Sequence, residues 1–150
     1  MKWWFSRQSP RVADATPTVR LGRWGEGIAA AHLREEGYAI LGRNVRVPPH
    51  GEIDLVARRE GLLAFVEVKT RRNERYIRPA DAVNAEKRRN ISRAVRGFLR
   101  KAFSPGLLYR CDIVEVVGLP EQGKPLVRHL EGTQLVNPDA HGVYHKPYNP

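Results

Sequence analysis

Residues 51–71 read Gly51-Glu52-Ile53-Asp54-Leu55-Val56-Ala57-Arg58-Arg59-Glu60-Gly61-Leu62-Leu63-Ala64-Phe65-Val66-Glu67-Val68-Lys69-Thr70-Arg71. Two apolar-rich runs, Glu52–Arg58 and Leu62–Lys69, flank a short turn at Glu60-Gly61, which is the pattern of an antiparallel β-hairpin. Alternation puts Ile53, Leu55 and Ala57 on one side of the first strand and Glu52, Asp54 and Val56 on the other. In the second strand Phe65, Glu67 and Lys69 share one face, and Ala64, Val66 and Val68 the other. A two-residue turn pairs Arg59 with Leu62, and the same register sets Asp54 opposite Glu67 and Glu52 opposite Lys69. Facing Cβ atoms in such a pair lie about 4.5–5.5 Å apart. Two carboxylates at that spacing within apolar strands repel each other and lose hydration. A cation is therefore expected between them, and Lys69 supplies only part of that charge.

The chain has one cysteine, Cys111, and its five histidines (His32, His50, His129, His141 and His145) show no ligand spacing. Hard carboxylate oxygens without thiolate or clustered imidazole favour magnesium or manganese over zinc. Magnesium held by few carboxylates keeps several waters, one of which can attack a phosphodiester. Asp54 and Glu67 are the expected ligands. Lys69 is expected to orient the attacking water and to stabilise negative charge as it develops. Glu26 lies on a stripe of small residues in a preceding helix and is expected to add a further carboxylate to the metal and to catalysis. Glu52 is expected to act as an outer acid or as a partner of Lys69.

Outward from the hairpin, the chain reads as α-β-β-β-α-β-β. Val19–Glu36 predicts a helix stopped by Gly37, with Gly22, Glu26, Ala29, Ala30 and Leu33 on one stripe and Trp24, Ile28 and Ala31 on a second face. Tyr38–Val47 predicts a strand ended by Pro48-Pro49, beside which Asn44 is expected to hydrogen-bond. Asn84–Phe103 carries the clearest helical period, with Ile91, Ala94, Val95, Phe98, Leu99 and Ala102 in register. Tyr109–Val117 and Leu126–Glu131 predict two further strands. Arg110 and Asp112 share a face of the first of these and are expected to form a structural pair. The order predicts an α/β fold with a mixed central sheet flanked by helices. Residues 1–18 are read as a flexible N-terminal arm, 19–136 as one domain and 137–150 as an extended C-terminal tail.

At 150 residues the chain is the size of one ordinary domain. One cysteine excludes a disulfide framework and a cysteine-rich zinc site. No run approaches the ~18 apolar residues of a membrane helix. The opening Met1-Lys2-Trp3-Trp4-Phe5 is shorter than the ~7–15 residue core of a signal peptide, so a cytoplasmic protein without a membrane partner is expected. Lysine and arginine total 26 against 16 acids, a net +10. Between Lys69 and Lys101 there are twelve basic residues and three acids, a net +9, so nearly all the excess lies in one segment. That concentration points to a polyanion. The loop after Lys69 supplies Arg71, Arg72, Arg75, Tyr76 and Arg78 as expected nucleic-acid contacts, with Tyr76 placed to stack on an unpaired base. Lys87 falls in line with the core stripe of its helix and is expected to turn inward as a supporting or phosphate contact. Arg89, Arg93, Arg96 and Arg100 form a solvated stripe on the opposite face.

Gly51-Glu52-Ile53-Asp54-Leu55, twelve intervening residues, and then Phe65-Val66-Glu67-Val68-Lys69-Thr70-Arg71 resemble the PD-(D/E)xK nuclease superfamily. Gly25-Glu26, Gly37-Tyr38, Arg43-Asn44, the helix from Lys87 through Leu99, and Arg110-Cys111-Asp112-Ile113-Val114 extend the likeness. Over roughly residues 20–131 the chain resembles the YraN-like family of uncharacterised bacterial proteins. That resemblance implies a restriction-endonuclease-like fold related to archaeal Holliday-junction resolvases. It makes Asp54, Glu67 and Lys69 the catalytic core and Glu26 the helix acid. Gly51-Glu52-Ile53 stands where restriction enzymes carry a Pro-Asp pair, which favours the resolvase-like branch.

The expected function is a divalent-metal-dependent endonuclease acting on DNA, with branched or junction structures as candidate substrates. Action on two strands would suit a homodimer. Two other readings use the same residues: a nucleic-acid-binding module of this fold that does not cut, and a protein-interaction domain whose charge is incidental.

Overall fold

The computed structural model describes residues 15–74, 85–101 and 108–133. Helix α1 spans Pro17–Glu35, followed by β1 (Ala39–Val47), β2 (Gly51–Arg59), β3 (Leu62–Arg71), α2 (Ala85–Lys101), β4 (Leu108–Val117) and β5 (Leu126–Leu130), with a short 3-10 turn at Pro120–Gln122. The α/β architecture and its order therefore match the sequence reading. Helix α1 starts two residues before Val19 because Thr16 caps it. The Thr16 Oγ1 accepts the Val19 N–H at 3.3 Å, and Pro17 occupies the first turn. Past its end, Gly37 N–H donates to Arg34 O and Tyr38 N–H to Leu33 O, which closes the last turn with the two bonds of a Schellman motif.

The strands form one sheet in the order β1-β2-β3-β4-β5. All neighbours are antiparallel except β3 and β4, which run parallel across the α2 connection. The β2–β3 hairpin has the expected register, from Arg59↔Leu62 to Leu55↔Val66. Its two turn residues, Glu60 and Gly61, take φ of 49° and 82°, the sense of twist that suits a tight hairpin.

The two helices cover opposite faces. Ala29, Ala30 and Leu33 of α1 pack on Leu55, Ala57, Ala64, Val66, Val114 and Val116. Ile91, Ala94, Val95 and Phe98 of α2 pack on Val56, Leu63, Phe65, Cys111 and Ile113. Phe65 centres that second layer, edge-on to Phe98 at 5.4 Å and to Tyr109 at 6.0 Å. Two expectations are corrected. Ala31 is exposed while Trp24 and Ile28 join the α1 layer, so α1 is covered on one broad side rather than two. Ile53 belongs to the α2 layer with Val45 and Val47, not with Leu55 and Ala57. Strict alternation assumes a flat strand, whereas the far end of the β1–β2 pair lies against α2, where Gly51 approaches the Asn90 carbonyl and Gly97 approaches Val47 and His50.

Helix α1 passes tightly against the sheet at Gly25. A Cβ added there would lie 1.9 Å from Thr70 Oγ1, so only glycine permits this approach. Thr70 stands near the end of β3, three residues past Glu67, and the contact sets Glu26 beside that end of the sheet.

Candidate active site

Backbone pairing between β2 and β3 stops at Leu55↔Val66, one step before Asp54 and Glu67. Beyond that point a side chain takes over from the backbone ladder: Asp54 Oδ2 accepts the Val68 N–H at 2.8 Å. This bond fixes the Asp54 carboxylate against β3 and next to Glu67. Glu67 is almost fully buried, with 3% of its side chain exposed. Its Oε1 receives two ammonium groups, Lys69 Nζ at 2.8 Å and Lys87 Nζ at 3.3 Å. The inward turn expected for Lys87 is thus seen, and it brings the first turn of α2 to the end of β3.

The electrostatics follow from this crowding. Burial, reinforced by the charge of Glu67, pushes the Asp54 carboxyl up to about 7, against the pull of the Val68 N–H and of Lys87, and Glu26 adds to the rise. Burial would lower the Lys87 ammonium, but Glu67 and Asp54 outweigh it and hold it above its ordinary value. An Asp54 carboxyl raised by burial and by the neighbouring Glu67 charge fits a site for a hard divalent cation, a demand magnesium meets while using only one or two protein carboxylates. The donor set is oxygen only, in keeping with magnesium or manganese. Among the described residues no group of three or more His, Cys, Asp or Glu side chains is gathered closely enough to hold a metal ion. Asp54, bonded to the N–H of the residue after Glu67, is the carboxylate the structure brings beside it. Glu26 is near enough for its charge to act on Asp54, and its Oε2 accepts a 2.8 Å bond from Asn44 Nδ2. That bond also corrects the expectation that Asn44 serves the Pro48-Pro49 turn.

The family model described as "Uncharacterised protein family UPF0102" matches residues 25–116. The chain belongs to this family. A UPF0102 protein of Syntrophotalea carbinolica is 49% identical over 114 residues, covering 76% of this chain and 90% of its own. One from Symbiobacterium thermophilum is 46% identical over 102 residues, 68% of this chain and 86% of its own. One from Nocardia farcinica is 41% identical over 126 residues, 80% of this chain and 98% of its own. This agrees with the YraN-like resemblance. The segment matched to UPF0102 runs from Gly25 to Val116 and contains Glu26, Asp54, Glu67, Lys69 and Lys87.

Other expected residues of this UPF0102 chain fall elsewhere. Glu52 faces Arg46 across β1–β2, with Arg46 Nε 3.3 Å from Glu52 Oε2, so it is not the partner of Lys69. The β2–β3 ladder ends before Glu52 could meet Lys69, and β1 supplies the nearer cation. Arg71 Nε lies 2.9 Å from Glu115 Oε1, an ion pair with β4. Arg72 is exposed just past the end of β3. Arg75, Tyr76 and Arg78 lie outside the described residues, as do residues 1–14 of the expected arm and the 137–150 tail.

Glu115 is the residue that sequence reading missed. It is buried on β4 beside Lys69 in the parallel register and also takes Arg128 Nη1 at 3.0 Å. Arg128 in turn pairs with Glu74 at the start of the basic loop. The signal was present, because Ile113-Val114-Glu115-Val116-Val117 is another acid inside an apolar strand.

Proposed function

We propose that this UPF0102 protein is a divalent-metal-dependent endonuclease that hydrolyses DNA phosphodiester bonds. The observation that carries the reading is the Asp54–Glu67 carboxylate pair at the open end of a hairpin, with Asp54 half-buried, Glu67 buried and two lysines on one Glu67 oxygen. Asp54 and Glu67 would hold magnesium or manganese, which when bound supplies Lewis acidity and an acidified water. Asp54 is held in place by the Val68 N–H, so its carboxylate is oriented before any ligand arrives. Lys69, anchored 2.8 Å from Glu67, positions a positive charge where an attacked phosphate gains negative charge. Glu26, oriented by Asn44, biases the same site from α1 and can accept a proton from water at Oε1 while Oε2 stays bonded. Arg72 and the basic segment that follows it would meet backbone phosphates, which fix position without reading sequence. Cutting both strands of a branched duplex would use two copies of the chain related by a two-fold axis.

Manganese-dependent cleavage of single-stranded, duplex, flapped and junction DNA tests the reading. Wild type is expected to cut at least one of these. Glu67→Ala and Lys69→Ala are each expected to lose about 100-fold or more in rate. A wild type that cuts none of them overturns the proposal. A second reading, a binding module that does not cut, draws on the absence of a three-acid cluster among the described residues. It predicts salt-sensitive DNA binding that survives Asp54→Ala and Glu67→Ala.

A further inference from the structure

Two ammonium groups share one carboxylate oxygen of Glu67, and they reach it differently. Lys69 sits on the same strand two residues away and on the same face, so β3 itself delivers it to Glu67. Lys87 comes from the first turn of α2, makes the longer contact of 3.3 Å, and leaves 42% of its side chain exposed. The two acids carry a formal −2 when ionised, and the two lysines balance it. A divalent cation at Asp54 and Glu67 would leave the cluster two charges in excess, and ammonium groups at 2.8 and 3.3 Å from Glu67 Oε1 would then oppose it directly. The weaker, more solvated of the two contacts is the one that yields, because a long flexible stem on a helix end re-enters water at little cost.

We propose that Lys87 is a built-in stand-in for the cation. In the cation-free protein it neutralises the acid pair by occupying Glu67 Oε1. It vacates that oxygen on cation binding and turns its charge toward the negative phosphodiester. This inference rests on the metal-site reading above and goes beyond it by assigning Lys87 two positions. It makes Lys87 a competitor of the cation, whereas a lysine whose charge lay away from Glu67 Oε1 would not weaken metal binding.

The test is manganese binding to the full chain without DNA, by calorimetry and by the electron-spin signal of free manganese. Lys87→Gln is expected to bind manganese about three- to tenfold more tightly than wild type, the scale of one partly screened ion pair. Lys87→Arg keeps the charge and is expected to stay within about twofold of wild type, as is Lys124→Gln, an exposed change on the β4–β5 connection. Glu67→Gln is expected to lose binding. If binding depends on Glu67 but Lys87→Gln is no tighter than wild type, or if Lys87→Arg tightens it equally, the stand-in role is overturned while the metal site survives. If neither wild type nor Lys87→Gln shows Glu67-dependent binding, the metal site and the stand-in role fall together. Thermal unfolding gives a second readout: manganese is expected to raise the midpoint of Lys87→Gln more than that of wild type. An equal or smaller rise counts against the stand-in.

Discussion

At Gly25 a single missing Cβ determines how α1 meets the sheet. Alanine there would put carbon 1.9 Å from Thr70 Oγ1 and 2.9 Å from its Cβ, so either helix or strand must move. Gly25→Ala is expected to destabilise the protein by about 2–3 kcal/mol in chemical denaturation. Adding Thr70→Ala should restore only part of that, because the Cβ of residue 70 remains. Asp54 makes a second prediction at this scale. Its carboxyl is raised to about 7, so protons compete with a cation for it below that value. Manganese affinity is expected to fall as pH drops through 7, by up to about tenfold per unit for one displaced proton, in a calorimetric titration series. An affinity flat from pH 5 to 8 would remove Asp54 from the ligand set.

Between elements, the end of α1 is tied to β4 and β5 by a buried polar network. Asp112, fully buried, accepts Arg110 Nε at 2.9 and 3.0 Å and the Gly132 N–H at 2.9 Å, and lies 2.9 Å from His129 Nε2. The other ring nitrogen of His129 lies 2.8 Å from Glu36, just past α1. Tyr38 and Glu131 complete the network through Arg110. The pair expected between Arg110 and Asp112 is thus one edge of a larger cluster. Burial opposes a charged His129, but the Asp112 and Glu36 carboxylates outweigh it and raise its pKa above the ordinary 6.5. A folded-state value above the unfolded one means that the native state binds the extra proton. Its stabilising effect is complete below about pH 6.5 and is lost as pH rises through the higher folded value. His129→Gln is expected to lower stability by about 1–2 kcal/mol at pH 6 and to flatten the dependence of the unfolding midpoint on pH above 6.5.

For the whole molecule, charge is the dominant quantity. The chain carries a net +10, with +9 of it between Lys69 and Lys101, so the basic excess is concentrated in one stretch of sequence. Binding to DNA is expected to weaken about 100-fold between 50 and 200 mM salt if about four phosphates are neutralised. Affinity that is insensitive to salt in a gel-shift or anisotropy titration would rule out phosphate contact as its source. No helix among the described residues is long and apolar enough to cross a membrane. Among the described residues the sheet's outer strands are β1 and β5, and the five-residue β5 pairs with Ile113–Val117 of β4.

The order of elements, the hairpin register and the placing of Asp54 and Glu67 on adjoining strands were legible in the sequence. Each depends on local periodicity or on a two-residue turn, and such short-range constraints survive without knowledge of the rest of the fold. Asp112 and Glu115 carried the same signal as Asp54 and Glu67, an acid in an apolar strand, yet only tertiary structure separates their roles. Asp112 is met by Arg110 of its own strand and His129 of β5, and Glu115 by Arg71 of β3 and Arg128 of β5, whereas Asp54 has the Glu67 carboxylate beside it. Tertiary structure also decided that Lys87 reaches Glu67, that Arg71 is taken by Glu115, and that Glu52 turns to Arg46. In each case the partner is far along the chain or across a strand, and charge finds whichever opposite charge the packing brings within a few ångströms.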